Sequence, residues 1–354
     1  MNNFRTYFRN ALLAAIALIA SGALVAQPSL DRPNVSQAAS VTQTVGVTDI
    51  SVSYHRPGVK GRAIWGGLVP YDQVWRTGAN EVTTISFEDP VTIGGTQLPA
   101  GTYGLFTLPR ANSWTVIFSS NTTTWGTVYD STKDVLKIDV TPYASEATEW
   151  MMFSFSGLSD TAATLDLRWE KLTIPVPIGV DTRRIVLDRG RKVLAVAGPD
   201  TGRWQMLRQA AIYAHQNNIH LDEALSWIDR SLAVKRNFQS LCVKADILTL
   251  SGKLAAATPL LGDAIAEAKE SELTSYALTL RRANRADRAV SLLNQFEQKH
   301  GSSWAISQAL GESYDAAGER AKALASYTQA LEKAPGDAEK SEIQELIKTL
   351  NERK

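Results

Sequence analysis

Residues 311–335 read GESYDAAGERAKALASYTQALEKAP. Gly311, Tyr314, Ala323, Tyr327 and Ala330 recur at intervals that set them on the facing sides of two consecutive helices, and Pro335 stops the second. The small side chain of Ala323 permits close approach of the pair, while Tyr314 and Tyr327 fill the groove between them. The same spacing returns upstream. One unit offers Ala277, Leu280, Ala289, Leu293 and Phe296, and the next Ala245, Leu248, Gly252, Ala257, Leu261 and Ala264. The first offers Ala224, Leu225, Ile228 and Leu232. By subtraction, the alanines at 224, 257, 289 and 323 stand 33, 32 and 34 residues apart.

These offsets are those of the tetratricopeptide (TPR) repeat, whose period is about 34 residues. A single such hairpin cannot bury its apolar face and must stack on neighbours. Residues 203–337 are therefore expected to form TPR-like helical hairpins, closed by a polar capping helix over 338–354, with a protein as their partner. Trp204, Trp227 and Trp304 fall on helix faces, where packing between repeats competes with a peptide groove. Cys242, on an apolar stripe, reads as a small core residue.

Ahead of residue 179 the period is two. Ile50, Val52 and Tyr54 alternate with Ser51, Ser53 and His55, the pattern of a half-buried strand. Further strands are expected at 41–45, 82–87, 91–93, 102–107, 114–118, 135–140, 151–156 and 164–174. Gly94-Gly95 suits a tight hairpin, and Pro109, Asn112 and Ser113 break the strand before them. Many short strands without intervening helices predict a β-sandwich or jelly-roll-like domain over 40–178. Pro175 and Pro177 mark its expected end. A basic helical bridge follows over 179–202, with Ile185, Val186, Val193 and Leu194 as its apolar stripe, broken by Gly198-Pro199. The chain is thus read as multidomain, β then α.

The first 26 residues are expected to lie outside the fold. Arg5 and Arg9 precede a short apolar run, Ala11 to Ala20, and Val25-Ala26 supplies small residues for signal peptidase. Cleavage after Ala26, with a polar leader over 27–39, predicts a periplasmic or secreted protein. No later stretch is apolar enough to span a bilayer. The net charge of +1 gives no global field for nucleic acid or anionic membrane. A single cysteine and four histidines leave little material for a metal centre, and neither metal nor cofactor is expected.

Residues 54–81 interrupt the strands with glycines at 58, 61, 66, 67 and 78, yet carry Trp65, Tyr71 and Trp75. A long loop with its own apolar anchors is a functional or tightly packed segment. The runs Tyr54-His55-Arg56-Pro57, Gly61-Arg62-Ala63-Ile64-Trp65-Gly66, Leu68-Val69-Pro70-Tyr71 and Val74-Trp75-Arg76-Thr77-Gly78-Ala79-Asn80-Glu81 resemble the DUF2911 family. So do Pro99-Ala100-Gly101-Thr102-Tyr103-Gly104-Leu105-Phe106 and Trp114-Thr115-Val116-Ile117. The resemblance covers roughly residues 38–177. It implies an exported bacterial β domain, often with a helical-hairpin tail, and no assigned reaction.

The candidate site residues come from this loop. Arg56, Arg62 and Arg76 could converge as guanidinium forks on an anion, or bond loop carbonyls and acids to hold its shape. Trp65, Tyr71, Trp75 and Tyr103, with Asn80 and Glu81, could form a platform for a sugar-like ligand, or plug the core. Glu81 is the candidate acid or base of a carbohydrate hydrolase or lyase. Such chemistry would need a second carboxylate, for which Asp72, Asp130 and Asp134 are available. His55 could serve as a general base near Glu81. No nucleophile elbow or phosphate loop is present. The pattern points to a binding and scaffold protein rather than an enzyme: a small polar or sugar-like ligand on the β domain and a protein partner on the repeats. The alternative is a purely structural β domain with function only in the repeats.

Overall fold

A computed structural model of the chain describes residues 32–123, 128–195 and 198–352. The expected signal peptide lies outside the described residues. The chain divides after Val180 into a β unit and a helical unit.

In the β unit, Ile50, Val52 and Tyr54 are buried and the alternate residues face outward, as period two requires. The strands are β1 (Gln37–Val45), β2 (Thr48–Arg56), β3 (Thr83–Phe87), β4 (Val91–Ile93), β5 (Thr96–Leu98), β6 (Gly101–Pro109), β7 (Trp114–Ser119), β8 (Asp134–Val140), β9 (Tyr143–Ser156) and β10 (Ala162–Val180). They form a six-stranded sheet in the order β1-β2-β3-β6-β7-β8 and a four-stranded sheet in the order β5-β4-β10-β9. All pairs are antiparallel. The sheets meet where the Tyr54 ring lies edge-on to Phe153 at 4.9 Å and the Tyr54 hydroxyl accepts from the Phe153 amide at 3.2 Å.

Two sequence expectations need correction. The polar leader does not run to Ala39, because Gln37–Ala39 already pair with Tyr54–Arg56 at the sheet edge. Ladder bonds there use the backbone and tolerate small polar side chains. Pro175 and Pro177 do not end the sheet. β10 pairs with β9 over Thr164–Thr173 and with β4 over Ile178–Val180, and the prolines occupy the stretch between the two registers. The missing N–H donors thus fall where no ladder bond is formed. The expected helical bridge is a helix, and it belongs to the helical unit.

That unit contains α1 (Thr182–Ala195), α2 (Trp204–Gln216), α3 (Leu221–Val234), α4 (Phe238–Leu250), α5 (Leu254–Glu267), α6 (Glu270–Arg282), α7 (Ala286–His300), α8 (Trp304–Ala316), α9 (Arg320–Lys333) and α10 (Asp337–Glu352). Four hairpins, α2–α3 through α8–α9, carry the repeat. Their alanines at 224, 257, 289 and 323 are buried. Asn237 and Ser303 cap α4 and α8 by accepting from the Ser240 and Ile306 amides. Leu187 and Leu194 of α1 pack with Leu207, Ala211 and Trp227 of the first hairpin, so α1 is the outermost layer of the stack. Its buried stripe runs through Ile185, Leu187 and Leu194, while Val193 is exposed. At the other end, Ile343 and Leu350 of α10 cover Ala323, Tyr327 and Ala330. Both outer helices keep polar faces to solvent, which terminates the stack without leaving an apolar end.

The tightest contact is between Gly311 and Tyr327. A β-carbon at Gly311 would stand 2.4 Å from the Tyr327 ring, which is itself 1% exposed. We expect Gly311→Ala to destabilise the helical unit by about 1–3 kcal/mol through overpacking. Gly262→Ala, on α5 with open space around it, should stabilise by about 0.5–1 kcal/mol through helix propensity. Urea unfolding midpoints followed by circular dichroism check the opposite signs.

Candidate functional site

The connection between β2 and β3 is held by a series of backbone bonds. Its first residues continue β2 towards β9: the Met151 amide donates to the Pro57 carbonyl at 3.0 Å and the Val59 amide to the Glu149 carbonyl at 2.8 Å. Residues 63–69 form a compact turn in which the Val69 amide donates to Ile64 at 2.9 Å. A β-carbon at Gly67 would meet the Ala63 carbonyl oxygen at 2.5 Å, so only glycine allows this closure. Further on, Trp75 and Thr107 exchange amide bonds of 2.7 and 2.8 Å. β6 extends past its last pairing with β3, at Leu105, and the connection occupies the edge that this leaves open. Thr77 and Asn80 take left-handed φ values of 57° each, costly for side chains with a β-carbon. The turn is pinned by the Thr83 hydroxyl donating to the Thr77 carbonyl at 2.7 Å and by the Asn80 side-chain amide donating to the Ser36 carbonyl at 3.2 Å.

The rings form a plug. Trp65 is edge-on to Trp114 at 4.9 Å and to Trp169 at 5.6 Å, and Trp75 stacks on Trp169 at 5.8 Å with 22° between the planes. Trp114 and Trp169 are each 1% exposed. The Trp75 indole donates to the Gly78 carbonyl at 3.0 Å. Tyr103 is buried beside Phe87 and donates to the Pro99 carbonyl at 2.8 Å; burial raises its phenol pKa. Tyr71 alone among the four expected platform rings is exposed, and its ring lies over Gly66. Trp65, Trp75 and Tyr103 are therefore packing residues, with faces turned to other rings.

The arginines are likewise engaged. Arg56 donates through Nε to the Met151 carbonyl at 2.9 Å. Arg62 donates to the Val59 carbonyl at 3.1 Å and to the Gly58 carbonyl. Arg76 is half-buried, and desolvation lowers its pKa. Arg56 and Arg62 thus satisfy carbonyls that the irregular connection leaves without ladder partners.

Glu81, at the end of the connection, is exposed. Its carboxylate lies 3.2 Å from Nδ1 of His55, the outward-facing residue near the end of β2. His55 and Glu81 line a cavity of about 500 Å3 with Ser40, Ser53, Thr84 and Thr122. A β-carbon at Gly104 would stand 2.2 Å from the Asn121 carbonyl oxygen, so the segment leading to Thr122 is pressed against β6. Of the expected arginine, ring and acid set, Glu81 alone lines this cavity, joined by the candidate base His55. Ser40, Ser53, Thr84 and Thr122 are polar strand and loop residues that no sequence motif marks. Asp72, Asp130 and Asp134 are held elsewhere. Asp72 faces Arg110 at 3.4 Å, Asp130 accepts from the Thr132 amide at 2.9 Å, and Asp134 accepts from Tyr129 and pairs with Lys137 at 2.8 Å.

The protein is a β-sandwich followed by a stack of TPR-like hairpins. Within it, residues 36–178 match the family model described as "Protein of unknown function (DUF2911)", which bears out the resemblance carried by the loop motifs. That description assigns no reaction. No curated protein matches the chain in sequence. Among solved structures, MamA is 15% identical over 43% of this chain and 88% of its own, with a TM-score of 0.25. YrrB, titled a TPR protein with an unusual peptide-binding site, is 16% identical over 46% of this chain and 84% of its own, with a TM-score of 0.24. A thermophilic TPR protein of Thermus thermophilus is 17% identical over 48% of this chain and 98% of its own, with a TM-score of 0.23. The TPR-like assignment rests on the repeat period and on the hairpins themselves.

The plug and the platform predict different losses. Trp75→Ala should cost the β unit about 3–5 kcal/mol, as for other large-to-small core changes. Tyr71→Ala should cost less than about 1 kcal/mol. Denaturant unfolding followed by circular dichroism separates them, and near-equal losses would contradict the plug.

Proposed function

We propose that the protein is an exported scaffold that grips a peptide segment of a partner along the first helices of its hairpins. The observation that supports this most is a pair of adjoining hollows. One, of about 330 Å3, holds Trp204, Arg208, Lys235, Glu272 and Ser275, two cations against one carboxylate. The other, of about 350 Å3, holds Ser275, Leu278 and Trp304. They share Ser275 and so form one groove across α2, α4, α6 and α8. The groove offers two half-buried indoles and Leu278, which is 38% exposed. At one end Lys235 and Arg208 lie over the Trp204 ring at 4.8 and 5.4 Å. At the other, Arg281 is neutralised by Glu312. A segment with spaced apolar side chains and an acidic group towards Trp204 suits this pattern. Trp227, 5% exposed inside the first hairpin, is a packing residue and takes no part.

Selection of displayed peptides on protein recovered outside the cytoplasm, with Gln27 as its first residue, tests the reading. Enriched peptides should combine apolar and acidic residues, and Leu278→Arg should weaken them at least tenfold. Peptides indifferent to Leu278→Arg, or an unprocessed chain retained in the cytoplasm, would count against it.

A second activity is favoured by the His55–Glu81 contact. Hydroxyl, imidazole and carboxylate groups around a cavity of about 500 Å3 suit a small polyol or sugar-like ligand, with Glu81 orienting the His55 ring. Glycan binding, and hydrolysis if His55 and Glu81 act as base or acid, should both fall sharply in Glu81→Gln. A thermal-shift and hydrolysis screen unchanged by that substitution would remove Glu81 from the site.

A further inference from the structure

A hollow of about 850 Å3 on the helical unit lies where three helices end: residues 215–218 close α2, Thr249 and Leu250 close α4, and Ala283 and Arg285 lie in the connection from α6 to α7, whose first turn carries Arg288. In its wall sits Asp246, 7% exposed. Arg285 donates through Nη2 to one carboxylate oxygen at 3.0 Å, and Arg288 donates through Nη2 to the other. His215, 5% exposed, stands 4.0 Å from the same carboxylate. Burial first, and Arg285 second, lower the histidine pKa, so the ring is neutral at pH 7.

The charges therefore do not balance. Two guanidinium groups meet one carboxylate, leaving one positive charge in a recess lined otherwise by neutral polar groups such as Gln216, Asn217 and Asn218. A guanidinium carries five N–H donors. Each of these two gives one to Asp246 and makes no other side-chain hydrogen bond among the described residues; the Arg288 Nε is buried without a partner. The side chains of Arg285 and Arg288 remain 30% and 23% exposed, so part of each fork is accessible. Two arginines fixed side by side by a shared buried carboxylate are preorganised donors, and their geometry suits a planar or tetrahedral oxyanion.

We propose that this recess is a binding site for a small oxyanion, a carboxylate or phosphate group, held by Arg285 and Arg288 with Asp246 as the post that aims them. The site lies at the hairpin turns and shares no lining residue with the first-helix groove. Its failure would leave the peptide reading untouched.

Isothermal titration of the full chain with inorganic phosphate and with succinate, at low ionic strength, tests the proposal. Saturable binding of at least one anion is expected, weakening as salt is raised. Arg285→Gln and Arg288→Gln should each reduce the affinity at least tenfold, with folding verified by circular dichroism. Should either fail to fold, Leu250 gives a safe substitute, being 50% exposed at the rim of the recess. Leu250→Glu should weaken binding several-fold by cancelling the surplus charge, whereas Leu250→Gln should not. Phosphate alone, or succinate alone, would identify the class of anion within the proposal. Absence of saturable binding by both, or an affinity unmoved by Leu250→Glu and by whichever arginine variants fold, would overturn it.

Discussion

The stack of Trp75 on Trp169 is the contact on which the β unit's long connection depends. A segment with five glycines between residues 58 and 78 loses much conformational entropy when ordered. Its own turns cannot offset that loss, because several are strained: Thr77 and Asn80 sit in left-handed conformations. Burial of two indoles against Trp114 and Trp169 supplies the compensating term. Once the rings are seated, the amide exchange with Thr107 and the Arg56 and Arg62 bonds to backbone carbonyls fall into place as satisfaction of polar groups, rather than as independent sources of stability. A rigid connection then delivers Glu81 to the outer face of β2, beside His55.

The helical unit solves the same problem with smaller side chains. Gly311 lets the Tyr327 ring approach a helix backbone, and alanines at the equivalent positions of the four hairpins let their paired helices close up. Close packing at these points consumes the apolar faces. What is left for recognition is divided by location. The first helices expose indoles and Leu278, while the turn edge carries a surplus of guanidinium around Asp246. Exposed rings beside cations suit a peptide that is apolar and acidic; two guanidinium groups on one carboxylate suit a small anion.

Much of the architecture was legible because it is written in periods. Alternation at Ile50, Val52 and Tyr54 and the spacing of the four alanines are direct consequences of strand and helix geometry. Gln37–Ala39 and Thr96–Leu98 carried no such signal, being short, largely polar edge segments whose pairing is a property of backbone alone. Pro175 and Pro177 misled because a proline bars a ladder bond only where one would form, and sequence does not say which edge of β10 is in use at each residue. The bridge was legible as a helix, but its docking on Trp227 was not, since it needs a partner surface more than thirty residues on.

The site was less legible than the fold for a related reason. Sequence proximity of Arg56, Arg62 and Arg76 suggested convergence, yet a guanidinium in an irregular loop meets nearby carbonyls before it meets a ligand. Sequence distance hid the pair that does converge. Arg285 and Arg288 reach Asp246 across 39 and 42 residues, one repeat and a turn away, where no motif would place them together. In a stacked repeat protein, side chains more than one period apart become neighbours as a matter of construction, and charges matched poorly across that interval stand out only when the stack is built. Around Asp246 the two guanidinium groups exceed the one carboxylate by one charge, and both stay partly open to solvent, which is the imbalance the anion proposal rests on.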